Sequence, residues 1–131
     1  MKYEQMWEWY PMPCIKVFTN HKKARKWIKK HTAMEIQWLG KNAQTDYFSE
    51  GLHAESLAVI TIDGRIKDIK QRIAILAHEC SHVVDDWLND MGEDDAGSEI
   101  RAYAIQSAMM ACMEQLGESW LIPQAKVTKE K

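Results

Sequence analysis

The chain has 131 residues and a mass of 15.2 kDa, a size typical of one domain. Hydrophobic residues make up 46% and charged residues 27%, which argues against disorder. No apolar run approaches the roughly 20 residues needed to span a bilayer. The N-terminal residues include acids where a signal peptide needs an apolar stretch, so we expect a cytoplasmic protein.

The cysteine count and the net charge exclude further classes. Cys14, Cys80 and Cys112 are far apart and form no CxxC, which excludes a disulfide framework and a thiolate zinc knuckle. A net charge of −2 argues against nucleic acid as a partner and gives no attraction to an anionic membrane. The composition leaves the oligomeric state open.

The first third of the chain predicts a strand followed by a helix. Ile15 and Val17 alternate with polar residues within 14–19, which is the pattern of a half-buried strand. Asn20 is a suitable N-cap for a helix that runs to about His31.

Three further segments predict strands. Residues 34–39 alternate apolar and polar side chains, as a strand with one buried face does. Residues 43–48 are short and polar, so a strand there is expected at a sheet edge. Residues 57–62 are almost entirely apolar, which indicates an inner strand that ends at Asp63-Gly64.

The second half of the chain predicts two helices. Asp68 and Gln71 resemble a capping box at the start of a helix that ends near Gly92. The apolar stripe of this helix recurs every three or four residues, at Ile69, Ile73, Leu76, Cys80, Val83 and Trp87. A second helix begins near Asp95–Ser98 and runs to Leu116. The expected fold is a small α+β domain over residues 1–122, followed by a polar, flexible tail over 123–131.

An HExxH motif, typical of metal sites, lies inside the long predicted helix and consists of His78-Glu79-Cys80-Ser81-His82. Positions i and i+4 lie on the same helix face, so both imidazoles can bind one ion, and zinc prefers such nitrogen ligands. Glu79 lies about 100° around the helix and can reach a metal-bound water. The apolar residues before the motif predict that the two histidines are more than surface residues. Cys80 is expected in the core.

The third ligand separates the subclasses of HExxH proteins. Leu88 stands where a metzincin needs its third histidine, which excludes that class. Glu99 fits better: it follows His82 by 17 residues and opens the next predicted helix. A carboxylate in the first turn also gains from the helix dipole without any metal. Asp86, one turn beyond His82, and Asp95 are the alternatives.

These residues resemble a known arrangement. The HExxH motif followed by residues 99–104, Glu-Ile-Arg-Ala-Tyr-Ala, is similar to the HExxH…E arrangement of gluzincins, in the compact form called minigluzincins. It resembles small HExxH proteins of tailed bacteriophages, described as metallopeptidases, and more distantly ImmA/IrrE-type metallopeptidases. The match covers residues 74–110.

The resemblance implies a zincin-like fold, with a short twisted sheet before the active-site helix. It also implies zinc as the cofactor, bound by His78, His82 and Glu99, with Glu79 as general base. A bacteriophage protein of this type acts in the host cytoplasm.

The expected function is therefore a zinc-dependent peptidase, a hydrolase whose substrate is a peptide or protein. Glu79 takes a proton from a zinc-activated water, and Tyr103, Arg101 and His53 are candidate donors to the transition state. The alternative is a non-catalytic zincin-fold protein that binds a phage–host or nucleic-acid-associated partner.

Iron chemistry is a weaker alternative for the same residues. The facial triad of iron oxygenases normally lies on a β-barrel rather than a helix. A di-iron bundle needs two helical Glu-x-x-His units, and the second such unit, residues 50–53, contains Gly51. Both features favour zinc.

Two segments outside the motif also offer binding surfaces. His21, Lys22 and Lys23 start the first predicted helix and could hold phosphate or nucleic acid, although a solvated basic face is the simpler interpretation. The aromatic residues Trp7 and Trp9 belong either to a docking arm or to the core.

Overall fold

The computed structural model describes residues 12–52, 55–93 and 97–122. Its elements are β1 (Cys14–Phe18), α1 (His21–His31), β2 (Ala43–Leu52), β3 (Glu55–Ile62), α2 (Ile69–Asp90) and α3 (Ser98–Leu116), with a short 3₁₀ helix at Glu118–Leu121. The α+β class is confirmed. No helix within these ranges is both long and apolar enough to cross a membrane. The aromatic N-terminal segment and the polar tail lie outside the described residues.

The three strands form one sheet in the order β1-β3-β2. β3 lies in the centre, parallel to β1 and antiparallel to β2. Its residues Leu57 to Ile62 are all buried, which explains why this segment is apolar almost throughout. The predicted inner strand and the predicted polar edge strand are both confirmed, and β2 extends to Leu52, beyond the predicted residue 48.

Helices cover both faces of the sheet because successive side chains of β3 point in opposite directions. On one face the buried residues of β3 pack with α2 and α3, and the shared core contains Ala58, Ile60, Ile62, Leu76, Cys80, Val83, Ala108 and Cys112. On the other face they pack with α1, and that smaller core contains Leu57, Val59, Ala24 and Ile28. The sheet therefore separates α1 from the other two helices.

The ends of the helices follow the local residue chemistry that the sequence predicted. The Asn20 side chain accepts hydrogen bonds from two backbone N–H groups in the first turn of α1. The Asp68 side chain does the same for one N–H of α2, that of Lys70, so Asp68 is the N-cap but its predicted capping-box bond with Gln71 is not among the hydrogen bonds of the described residues. Gly92 and Gly117 follow α2 and α3 with φ of 77° and 82°, a left-handed conformation that favours glycine. All three predicted helices are confirmed.

The predicted strand at residues 34–39 is wrong, because this segment has no strand structure. The side chain of Gln44, rather than the backbone of a neighbouring strand, forms hydrogen bonds with this segment. The Gln44 amide nitrogen donates to the carbonyl oxygen of Gln37 at 3.0 Å, and its oxygen accepts from the N–H of Leu39 at 2.9 Å. The alternation of apolar and polar residues in 34–39 therefore belongs to a segment outside the sheet.

The buried stripe of α2 differs from the prediction in its first turns. Ile73 is 41% exposed, whereas Arg72 is only 8% exposed. The Arg72 Nε donates to the carbonyl oxygen of Ile66 at 2.8 Å, and Nη1 donates to that of Trp120 at 2.5 Å. The later members of the predicted stripe are buried: Leu76, Cys80, Val83 and Trp87.

Candidate metal centre

The two histidines of the HExxH motif lie one turn apart on the same face of α2. Their Nε2 atoms are 3.2 Å apart, and their rings meet edge to face at 83°. Two nitrogens bound to one tetrahedral zinc at about 2.0–2.1 Å are about 3.3–3.4 Å from each other. The separation of His78 and His82 therefore matches that of two ligands of one ion. A direct hydrogen bond between a protonated and an unprotonated ring nitrogen also has this length.

Both histidines are exposed to solvent, so the prediction that they are more than surface residues is wrong as regards burial. The reason is their angular position on α2. His78 is about 160–200° around the helix from Leu76 and Cys80, which define the face that packs on the sheet. The imidazoles are thus open to solvent, as a site for an external ligand requires.

Glu79 is buried, with 6% of its surface exposed. The Thr45 hydroxyl on β2 donates to Glu79 Oε1 at 2.6 Å and lies 3.3 Å from the Glu79 carbonyl oxygen. This contact attaches the motif to the edge strand of the sheet. Thr45 was not predictable from the sequence, because 34 residues separate it from Glu79. The available signal was a polar residue between Ala43 and Tyr47 on the inward face of an edge strand.

Two acidic groups, Asp46 and Asp86, lie within electrostatic range of residues of the motif. Burial raises the pKa of Asp46, a hydrogen bond from Gln44 opposes this, and the charge of Glu79 adds to it. Burial also raises the pKa of Asp86, while the nearby His82 opposes the shift. The Asp86 carboxyl group therefore lies within electrostatic range of His82.

The structure does not bring the predicted third ligand to the histidines. Glu99 is exposed in the first turn of α3. Within residues 12–52, 55–93 and 97–122, no three His, Cys, Asp or Glu side chains are grouped to hold a metal. Glu99 and Asp86 therefore stay alternatives, and Asp95 lies outside the described residues.

The candidate transition-state donors are placed differently from one another. Arg101 Nη1 lies 2.6 Å from Asp85 Oδ1, an ion pair that joins α3 to α2. Tyr103 is 37% exposed on α3. His53 lies outside the described residues. Residues 50–52 belong to β2, so the second helical Glu-x-x-His unit of the di-iron alternative does not form.

Cys80, in the middle of the motif, belongs to the core as predicted. It is completely buried, and its Sγ lies 3.9 Å from Cys112 Sγ. This sulfur–sulfur hydrogen bond and the burial raise the pKa of the Cys80 thiol, so the reactive thiolate is suppressed. The site therefore depends on its imidazoles and carboxylates.

The chain was compared with protein families, curated proteins and solved structures. No family model, curated protein or solved structure matches the chain.

Proposed function

We propose that this protein is a zinc-dependent peptidase of the HExxH…E type, with a zincin-like fold and with Glu79 as the general base. The observation that supports this function best is the 3.2 Å separation of the His78 and His82 Nε2 atoms on one exposed helix face. Glu79 follows His78 in the chain, and its buried carboxylate is the acid–base group of the proposal. The resemblance to minigluzincins and to small HExxH proteins of tailed bacteriophages rests on this motif and on residues 99–104.

His78 and His82 would hold the zinc through Nε2, with Glu99 as the third ligand and Asp86 as its competitor. When bound, zinc acts as a Lewis acid and lowers the pKa of water toward about 7. The two nitrogens fit this role by residue type and by spacing. The remaining chemistry belongs to groups of the chain itself.

Glu79 takes the proton of the attacking water and passes it to the leaving amine. The Thr45 hydroxyl donates to Glu79 Oε1 at 2.6 Å. The same hydrogen bond fixes the orientation of the carboxylate, which makes Thr45 a positioning residue. β2 lies at the edge of the sheet, where an extended peptide substrate can add as a further strand.

Two measurements on one set of variants test this function. Purified wild-type protein is expected to bind about one zinc per chain, and His78→Ala or His82→Ala is expected to abolish that binding, as measured by elemental analysis. His31→Ala is the matched control, because His31 lies on α1 on the other side of the sheet. Equal zinc in all variants would contradict the proposed site.

Glu79→Gln is the second variant, because the amide is nearly isosteric and cannot take a proton. It is expected to keep the zinc and to lose cleavage of a broad peptide library by several orders of magnitude. Glu114→Gln, at an exposed position on α3, is the control for the change of charge. Equal cleavage by wild type and Glu79→Gln would remove Glu79 from the mechanism. Zinc binding without cleavage by either would favour the non-catalytic binding protein.

A further inference from the structure

A cavity of about 490 Å³ lies at the carboxyl end of β1, away from the histidine pair. Its wall includes the last residues of β1, the start of α1, the first turn of α2 and the end of α3 with the 3₁₀ helix. β1 and β3 are parallel and both end at this edge of the sheet. Clefts at the carboxyl ends of parallel strands are common ligand sites in α/β proteins, and this volume suits a small molecule.

Arg72 lines this cavity and is more than nine-tenths buried. Two of its five N–H groups donate to the carbonyl oxygens of Ile66 and Trp120, and its guanidinium lies over the Trp120 ring at 5.5 Å. Carbonyl dipoles and an aromatic face orient the guanidinium but supply no counter-ion. The ion pairs within the described ranges are Arg65–Asp63 and Arg101–Asp85, and neither includes Arg72.

A buried charge without a counter-ion costs folding free energy, so an anion bound next to Arg72 would stabilise the protein. Among the described residues of the cavity wall, the other charged residue is Lys23, again a cation, and none is Asp or Glu. The first turn of α1 also begins here and contains no acid. Asn20 already caps two N–H groups of that turn, so the helix contributes its positive field rather than hydrogen bonds.

A second cavity of about 410 Å³ adjoins the first, and both share Thr19, Asn20 and Gly64. A β-carbon at Gly64 would lie 2.6 Å from the Thr19 carbonyl oxygen, so the two strand ends approach closely only because this residue is glycine. The second cavity is lined by Trp38, which stacks on His21 with ring centroids 5.3 Å apart. An aromatic wall therefore lies beside the cationic one.

We infer that the first cavity binds the phosphate group of a small molecule, with Arg72 and Lys23 as its cationic ligands. A phosphate carries up to two negative charges and several acceptor oxygens, which match two cations and the unused N–H groups of a guanidinium. This inference is independent of the proposed peptidase activity, because it uses neither the histidines nor Glu79.

Isothermal titration calorimetry of the full chain at constant ionic strength tests this site, with inorganic phosphate and ADP as probes. Wild type is expected to bind at least one probe saturably. Lys23→Ser is expected to weaken binding about fivefold, and Arg72→Lys about tenfold. Lys26→Ser is the matched control, because it makes the same charge change one turn further along α1 and outside both cavities.

The two probes separate the sources of the phosphate. Tighter binding of ADP supports a phosphate ester that also uses the aromatic wall, whereas equal affinities support free phosphate. No saturable binding of either probe by wild type would overturn the inference. Equal weakening by Lys23→Ser and Lys26→Ser would also overturn it, because it would show nonspecific attraction. Both lysines are exposed, so this comparison decides the matter even if Arg72→Lys does not fold.

Discussion

At the scale of single residues, the Thr45 hydroxyl on β2 donates a hydrogen bond to the buried Glu79 carboxylate. Thr45→Val removes this donor and leaves Glu79 Oε1 unpaired in the protein interior. We expect the free energy of unfolding to fall by about 1–3 kcal/mol, as measured by urea denaturation. Thr45→Ser keeps the hydroxyl and should preserve most of the stability. A Thr45→Val protein as stable as wild type would show that the contact is not important for the fold.

Glu99 and Asp86 are the two described side chains that compete as the third metal ligand. Glu99→Ala is expected to weaken zinc binding more than Asp86→Ala does, because loss of a direct ligand exceeds the ~10–100-fold effect of a group that only supports a ligand. A competition titration with a chromogenic chelator measures both variants. The reverse order would make Asp86 the ligand, in agreement with its proximity to His82.

Residue spacing predicted the pairing of His78 and His82 because the helix period fixes it locally. Their exposure was not predictable from the preceding alanines, since the buried stripe of α2 passes through Leu76 and Cys80 on the other side of the helix. Thr45, which binds Glu79, and Trp120, which binds Arg72, lie on distant parts of the chain, and no local pattern identifies such contacts. Local geometry was therefore predictable, and long-range contacts were not.

At the scale of elements, Tyr47 joins the edge strand to the end of α2. Its hydroxyl donates to Asp90 Oδ2 at 3.1 Å, and burial, reinforced by the charge of Asp90, raises the pKa of Tyr47 to about 12. Below the ordinary pKa of 10.0 the tyrosine is neutral in both the folded and the unfolded chain. Between about pH 10 and pH 12 only the unfolded chain ionises it, so folding stability should fall as the pH rises.

Urea unfolding of wild type and Tyr47→Phe at pH 9 and pH 11.5 checks this expectation. Wild type should lose more unfolding free energy between the two values than the variant does, because the variant has no phenol to ionise. Equal losses would show that other groups cause the alkaline destabilisation.

Element ends were the most predictable part of the fold. Asn20, Asp68 and Gly92 act on the backbone within a few residues, so their chemistry is visible in the sequence. Membership of the sheet is different, because a strand needs a partner. Residues 34–39 have the expected alternation, but the side chain of Gln44 binds their backbone and β2 pairs with β3 instead.

At the scale of the whole molecule, the sheet separates the basic helix α1 from exposed acids at the end of α2 and the start of α3. The exposed face of α1 has six cations and no acid: Lys22, Lys23, Arg25, Lys26, Lys29 and Lys30. The exposed acids at the end of α2 and the start of α3 include Asp85, Asp86, Asp90, Glu93 and Glu99. Because α1 packs on one face of the sheet and α2 and α3 on the other, the two sets of charges face in opposite directions.

This arrangement separates positive and negative charges of the described helices across the sheet, although the net charge of the chain is −2. At pH 7 and low salt, the protein is expected to be retained on cation-exchange and anion-exchange resins alike, with opposite faces toward the two matrices. Retention should disappear at about 0.1–0.2 M salt, where the Debye length shrinks to about 8–10 Å. Replacing Lys22, Lys26 and Lys29 with glutamine should abolish retention on the cation exchanger and strengthen it on the anion exchanger. In an external field or beside a charged surface, the molecule would therefore take a preferred orientation.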